Sequence, residues 1–292
     1  MHAIIVGAGI GGLATALACH KAGIAVTLLE QSSALKEVGA GVQISSNGTA
    51  ALAELGLIPA LDAVGVRPIS FRVAAFESGE TIADFPLGPE AAARYGHTFY
   101  QFHRADLLNV LAAAVPAGVL RLGARVAKIA QDESGVTAHL ASGQAIRGDL
   151  LIGADGIHSV VRQGLGITDE KRNSGKLVWR ALVPADRIRA QDFKARFYGY
   201  AGRDRMVWAY WVRPGALFLV GDVVPSDEVH GESWSATGNL ADLRASFAGA
   251  NPRLRGLIEA VDEALITGLY DRDPLARWSY GRVTLLGDSA HA

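Results

Sequence analysis

Cysteine is nearly absent from this chain: Cys19 is the only one. No disulfide can close within it, and a reducing, cytoplasmic compartment is the expectation. Cys19 lies in an Ala/Leu-rich helical stretch and reads as a small buried apolar residue. Excess charge is also lacking. The formal net charge is -1, so nothing draws the whole molecule to nucleic acid. No apolar run is long enough to span a bilayer. Residues 3–19 carry no charge and imitate the core of a secretory signal. They lack a basic leader, and their glycines stand where a phosphate turn needs them. None of the histidines, His97, His103, His158 and His291 among them, is spaced like H-E-x-x-H, so no metal site is expected. Gly-x-Ser-x-Gly is missing and no Ser-His-Asp or Cys-His set is suggested, so nucleophilic hydrolysis is not expected. A second GxGxxG is missing too, so the chain is not built as a two-nucleotide reductase.

What is present begins at the first residues. Half the chain is hydrophobic, enough for one large core or two ordinary ones. Residues 2–6 form an apolar run of strand length. Gly7, Gly9 and Gly12 then fit G-x-G-x-x-G: the first permits a tight turn, the second lets a pyrophosphate approach the backbone, and the third lets helix and strand pack closely. A helix is expected over 11–22, its N-terminus turned toward negative charge, with Gly23 as its stop. The next strand, 25–29, ends at Glu30, whose carboxylate can accept both hydroxyls of an adenosine ribose. These features point to a dinucleotide. They do not separate FAD from NAD.

Further along, residues 31–43 read as a loop, and 47–55 and 58–64 as short helices around Gly56. An alternating pattern from Phe71 to Phe85 turns at Ser78-Gly79. A strand over 97–102 leads into a helix over 104–114, stopped by Pro116. Residues 119–148 read as an antiparallel meander with turns at Ser134-Gly135 and Ser142-Gly143. A strand follows at 149–152, and a helix begins near 157–163. The region 173–276 differs in character. It holds four of the five tryptophans, Trp179, Trp208, Trp211 and Trp234. Strands are expected at 177–183, 193–198, 206–212 and 216–224, then helices near 238–248 and 253–263. Lys171 to Arg213 carries 11 Lys/Arg against 3 Asp/Glu, and Asp222 to Glu263 reverses this, which marks a second structural unit.

Two later segments complete a pattern: Leu151-Ile152-Gly153-Ala154-Asp155-Gly156 and Leu286-Gly287-Asp288-Ser289. With the first turn, in this order, the sequence resembles the FAD-dependent single-component aromatic hydroxylases, the group A flavoprotein monooxygenases. The salicylate, 3-hydroxybenzoate and 6-hydroxynicotinate branch is the nearest likeness, and it covers essentially the whole chain. The resemblance implies an α/β fold, a Rossmann-like FAD-binding domain with an inserted mixed-sheet substrate domain. The FAD-binding domain would comprise 1–70, 100–172 and 277–292, and the substrate domain 71–99 and 173–276. Gly7, Gly9, Gly12 and Glu30 would hold the ADP end of FAD. The segment Val38–Asn47, with Gly41 and Val42, would lie beside the flavin; Ser46 stands where relatives carry proline. Arg104, from His103-Arg104-Ala105-Asp106, would contact FAD. Val126 would lie by the adenine. Asp155 and Gly156 would serve FAD and the nicotinamide nucleotide, and Gly287 and Asp288 the ribityl chain.

The activity implied is hydroxylation of a small phenolic or hydroxy-carboxylate aromatic through a flavin C4a-hydroperoxide, with dioxygen and NADH or NADPH. Tyr210 matches a substrate-side tyrosine and is one candidate catalytic residue. Asn47 is the other, standing where 6-hydroxynicotinate enzymes carry histidine, a departure that argues against their substrate. Alternation puts Trp208 on the face of Tyr210 and Trp211 on the other. Arg180 and its basic neighbours are candidates for a carboxylate or the nicotinamide phosphates. A homodimer is compatible. Three alternatives stay open: an epoxidase or other flavin monooxygenase on a larger substrate, an NAD-dependent dehydrogenase, and an inactive FAD-binding fragment. The last arises because relatives of this family continue past Gly-Asp, whereas this chain stops at Ala292.

Overall fold

A computed structural model of the chain describes residues 1–35, 41–168, 171–226 and 235–291. Val38, Gly39, Ala40, Trp234 and Ala292 therefore lie outside the described residues. The chain packs as two compact units. The first contains Met1–Lys36, Leu108–Arg172 and Asp271–Ala292; the second contains Glu37–Leu107 and Asn173–Tyr270. Packing thus divides the chain at 36 and 107. The reason is a short antiparallel pair, Gly41–Ile44 with Tyr100–His103, in which Gly41 lies against Tyr210 of the second unit. No helix among the described residues is long and apolar enough to cross a membrane.

The first unit is built on a six-stranded sheet in the order Ser279–Tyr280, Val283–Leu285, Leu150–Gly153, His2–Val6, Ala25–Leu29, Leu120–Arg121. All neighbours run parallel except the first two. Parallel strands are buried on both faces, which is why 3–6 and 150–153 read as unbroken apolar runs. The helix Ile10–Lys21 crosses between the strands His2–Val6 and Ala25–Leu29. It ends in a Schellman turn, with Gly23 N–H on His20 and Ile24 N–H on Cys19. The three-stranded meander Val126–Asp132, Gly135–Leu140, Ala145–Gly148 forms as expected. Residues 120–121 do not join it. They pair in parallel with Leu28–Leu29, because a buried central strand needs partners on both edges.

The second unit carries a seven-stranded sheet in the order Leu265–Asp271, Arg172–Pro184, Leu217–Pro225, Met206–Arg213, Phe197–Ala201, Ser70–Ala75, Thr81–Pro86. One face packs Trp179, Ala181, Val207, Ala209, Phe218 and Val220 against the helices Leu240–Ser246 and Pro252–Glu259. The other face carries Leu182, Phe197, Trp208, Tyr210, Val212 and Leu219.

Several expectations are corrected here. The strand expected at 193–198 runs over Phe197–Ala201. Its partners set this register, Phe197 opposite Phe71 and Tyr198 opposite Ala209, while Ala195 has turned to accept from the Ile69 N–H. The strand expected from 97 starts at Tyr100, since Gly41–Ile44 offers only four residues to pair with. A helix at Pro89–Tyr95 and a 3-10 helix at Ala185–Gln191 were not expected. The first had a signal in Pro89 at its start and Gly96 just past its end.

Candidate functional site

The glycines of the first turn act through the side chains they lack. Gly7 has φ +100, closed to most L-residues, and a Cβ on it would strike the Ala154 carbonyl. A Cβ on Gly12 would strike the Gly7 carbonyl, so that pair closes the helix onto the strand. Gly9 differs. A Cβ there would meet nothing within 4 Å, so it faces open space. Gly9 is also the N-cap of Ile10–Lys21, offers no side-chain cap, and no acid stands in the first turn. The helix's first N–H groups, unsatisfied within the helix, therefore open onto that space with the positive end of its dipole. A pyrophosphate fits such a cradle.

The two later segments fold onto this turn. Gly7 abuts the Asp155 Cα, at 2.9 Å from where its Cβ would lie, and Gly11 faces the Leu286 side chain at 3.4 Å. The Leu286 N–H donates to Gly153 at 2.8 Å. Asp155 accepts from Ser159 Oγ at 2.5 Å and from the Val161 N–H at 3.1 Å. Ser159 caps the helix Val160–Gly164, accepting from the Arg162 N–H at 2.9 Å, and Asp155 holds that cap in place. Burial raises the Asp155 carboxyl above its ordinary value, against the lowering by those hydrogen bonds. Gly287 opens a short 3-10 turn, Gly287–Ser289. Asp288 is exposed and no described residue donates to its carboxylate.

Ser289 and Arg162 were missed by sequence reasoning. Buried Ser289 Oγ donates to Gly153 at 2.5 Å, and buried Arg162 donates to the carbonyls of Ser289 and Ala290 at 3.0 and 3.2 Å. These bonds tie the second and third segments together. Nothing local in the sequence announces them, because the partners lie 127 residues and more apart.

Glu30 ends its strand as expected. One carboxylate oxygen accepts from the Ala8 N–H and the other from the Ser32 N–H, each at 2.8 Å. It braces the phosphate turn directly, a role its position alone did not reveal. Its carbonyl accepts from the Ala124 N–H at 2.8 Å, which brings the buried Val126 into the same neighbourhood.

The remaining expected residues belong to the second unit. Gly41 pairs with His103 and Val42 with Phe102. Gly41 has no room for a side chain, since a Cβ would enter the Tyr210 phenol ring. Tyr210 is buried, with the Phe197 ring edge-on at 5.6 Å. Burial pushes its phenol well above the ordinary value. Asn47 is exposed and accepts from Ser45 Oγ at 2.5 Å; no hydrogen bond joins it to Tyr210. Arg104 opens the helix Arg104–Ala114, with its Ala105 N–H donating to His103 Nδ1 at 3.3 Å. Arg180 is buried and donates to Thr267 Oγ1 at 2.8 Å. Burial, and then the nearby charge of Arg104, lower its guanidinium from the ordinary value.

A glycine turn, an acid-ended second strand and two later turns converging on one helix N-terminus define a dinucleotide-binding protein. The comparisons say which kind. Residues 1–198 match the FAD binding domain family. The chain is 36% identical over 287 residues to a 3-amino-4-hydroxybenzoate 2-monooxygenase of Streptomyces platensis, covering 98% of this chain and 72% of that protein. It is 32% identical over 292 residues to a 6-hydroxynicotinate 3-monooxygenase of Bordetella bronchiseptica, covering 98% of this chain and 75% of that protein. A crystal structure of Klebsiella pneumoniae HpxO, complexed with FAD and uric acid, superposes with a TM-score of 0.86 at 32% identity, covering 100% of this chain and 74% of that one. This chain belongs to the FAD-binding family of flavoprotein hydroxylases.

Proposed function

We propose that this chain is an FAD-dependent monooxygenase that hydroxylates a small aromatic ring, using dioxygen and NADH or NADPH. The observation that carries the reading is the open space at Gly9, with three segments converging on the N-terminus of the helix behind it. FAD, when bound, supplies the redox chemistry of oxygen transfer. The protein must then bind, orient and keep water away.

Gly7 and Gly12 close the turn, the open helix N-terminus at Gly9 takes the pyrophosphate on backbone N–H groups, and Glu30 and Val126 take the adenosine end. Asp155-Gly156 and Gly287-Asp288 serve the rest of the cofactor, the exposed Asp288 carboxylate being a ready acceptor for hydroxyls. Gly41, Val42 and Arg104 serve the flavin. In this division of roles, 1–70, 100–172 and 277–292 serve the cofactor and 71–99 and 173–276 the substrate. Tyr210 is the substrate-side group. With its phenol raised by burial, it stays protonated near neutral pH and acts as a hydrogen-bond donor to the ring's oxygen. Asn47 serves as a second polar contact for the ring. The lone Cys19 supports a cytoplasmic setting, and a homodimer fits the reading.

The test begins with a spectrum. The purified chain, given FAD and freed of excess, should keep a yellow chromophore. Hydroxybenzoates and hydroxypyridines should then stimulate NAD(P)H oxidation and yield hydroxylated rings. A colourless protein, or a yellow one that no ring stimulates, defeats the reading.

A further inference from the structure

The ribbon formed by Gly41–Ile44 and Tyr100–His103 has two faces, and its register fixes which residues share each. Tyr100 and Phe102 share one: their rings stack at 5.4 Å, and a Cβ on Gly65 would strike both. Gly41, Gln43, Gln101 and His103 share the other, because residues directly opposite in an antiparallel pair point the same way. That face looks toward Tyr210, since a Cβ on Gly41 would enter its phenol ring. The ribbon and Tyr210 both belong to the second unit.

Gln101 is fully buried on that face, at 0% exposure, and neither end of its carboxamide has a hydrogen-bond partner. Its backbone is occupied: the N–H donates to the Val66 carbonyl at 2.9 Å and the carbonyl accepts from the Val66 N–H at 2.8 Å. The free capacity is therefore all in the side chain. Buried amides are ordinarily bonded, because burial without a partner forfeits the hydrogen bonds that water gave. Gln131 in the first unit shows the ordinary case. Its amide donates to the Tyr280 carbonyl at 3.1 Å and accepts from the Arg282 N–H at 2.8 Å. Two more polar groups on the Gln101 side are equally unused. Among the described residues none bonds to the Tyr210 phenol, or to the side chain of Gln43 directly opposite Gln101. Gln43 is half-buried, so the face opens to solvent on its side.

We infer that Gln101 is a specificity-determining residue whose carboxamide binds a ring edge with an N–H beside a C=O, the edge of a pyridone or other cyclic amide. This rests on the reading of Tyr210 as the substrate-side group. Tyr210 by itself serves one ring oxygen. The Gln101 amide presents an acceptor and a donor side by side. A cyclic amide offers the matching donor and acceptor, so two hydrogen bonds close together. A phenol carries its hydrogen and its lone pairs on one atom and makes only one of the two in that geometry. Burial raises the worth of the match, since no water competes for it. The substrate ring is thereby narrowed to nitrogen heterocycles in the amide form.

The test uses FAD-loaded protein and two neutral rings of one size, titrated by the flavin absorbance: 2-pyridone, with N–H beside C=O, and phenol, without it. The wild type should bind 2-pyridone about 10-fold more tightly than phenol, the range for two net hydrogen bonds. Gln101→Met keeps the length of the side chain and removes its donor and acceptor. It should weaken 2-pyridone about 10-fold and leave phenol within about twofold. A second readout separates this from a structural role. Urea unfolding of the FAD-free Gln101→Met protein should keep its midpoint or move to higher urea, because the amide removed has no partner in the fold. A lowered midpoint with 2-pyridone binding unchanged, or equal weakening of both rings, overturns the inference. A fall in FAD affinity with the pyridone preference intact also overturns it, and gives the amide to the N–H and C=O edge of the flavin instead. Should Gln101→Met fold poorly, the wild type decides alone, and equal affinity for the two rings overturns the inference. The reading beneath fails differently, by loss of FAD or of all ring-stimulated turnover in the wild-type chain. A wild type that turns over rings yet binds both probes alike refutes only the role of Gln101.

Discussion

The turn at Gly7–Gly12 and the Tyr210 face of the seven-stranded sheet are both candidate binding surfaces, and they are made in opposite ways. The turn is made of backbone. Its essential residues lie within six positions, and what matters is what they omit. A Cβ is forbidden at Gly7 and Gly12 and tolerated, in empty space, at Gly9. The sheet face is made of side chains from different strands. Arg180, Trp208 and Gly221 meet only because three strands settle in one register. A site made by backbone geometry can be written in one short stretch. A site made by side chains across a sheet has to wait for pairing.

This contrast can be broken, starting with the largest effect. Gly12→Ala should cost about 3 kcal/mol, since its Cβ must displace a fixed backbone carbonyl. Thermal or urea unfolding without FAD would measure it. Gly9→Ala should leave that stability unchanged and weaken FAD about 100-fold, near 2.7 kcal/mol, by filling the space meant for the pyrophosphate. Fluorescence titration with FAD reads this out. If Gly9→Ala destabilises the apo protein as Gly12→Ala does, the turn is structural only.

The second surface offers a matching pair. Gly41→Ala should lose about 1–3 kcal/mol because its Cβ enters the Tyr210 ring. Tyr210→Leu in the same chain should return much of that loss. A double-mutant cycle by urea unfolding checks the coupling, and simple additivity would mean that Gly41 and Tyr210 do not meet in solution.

Glu30→Gln should do less. The amide keeps one acceptor for the Ala8 or Ser32 N–H and loses the charge, so FAD affinity should fall about 10-fold with little change in unfolding. An affinity unchanged within twofold would leave Glu30 as a brace for the turn alone.

The smallest effect is in the pH dependence of Asp155. Its carboxyl is raised in the folded state, so the folded chain holds its proton to higher pH than the unfolded one does. Its contribution to stability is complete below the ordinary aspartate value and is lost as pH rises through the folded value. Asp155→Asn should remove that downward slope. Stability curves of both proteins from pH 4 to 7 would show it, and parallel curves would mean that Asp155 ionises normally.

Much of the first unit was legible, and the reason is visible in particular residues. The strand 2–6, the helix after it, the strand ending at Glu30 and the meander after Val126 are local objects, each with its own period, turn or stop signal. Trp208 and Trp211 took opposite faces because alternation within a strand is local as well. The errors came where a partner chose the boundary. Phe197–Ala201 began late because Phe71 and Ala209 fixed it. Leu120–Arg121 left the meander for the edge of the parallel sheet. Ser289 and Arg162 carried no signal, since their hydrogen bonds reach across more than a hundred residues.

The sequence by itself determined the dinucleotide turn, its acid-ended strand and the three fingerprints, because glycine conformations and turn chemistry are decided by neighbours in the chain. Only the tertiary structure decided that those fingerprints meet at one helix N-terminus. It alone decided that Gly41 stands against Tyr210, and that the unpartnered amide of Gln101 shares that face of the ribbon. Those meetings depend on strand order and register, which buried surface and paired backbone groups select over the whole fold and no short stretch of sequence encodes.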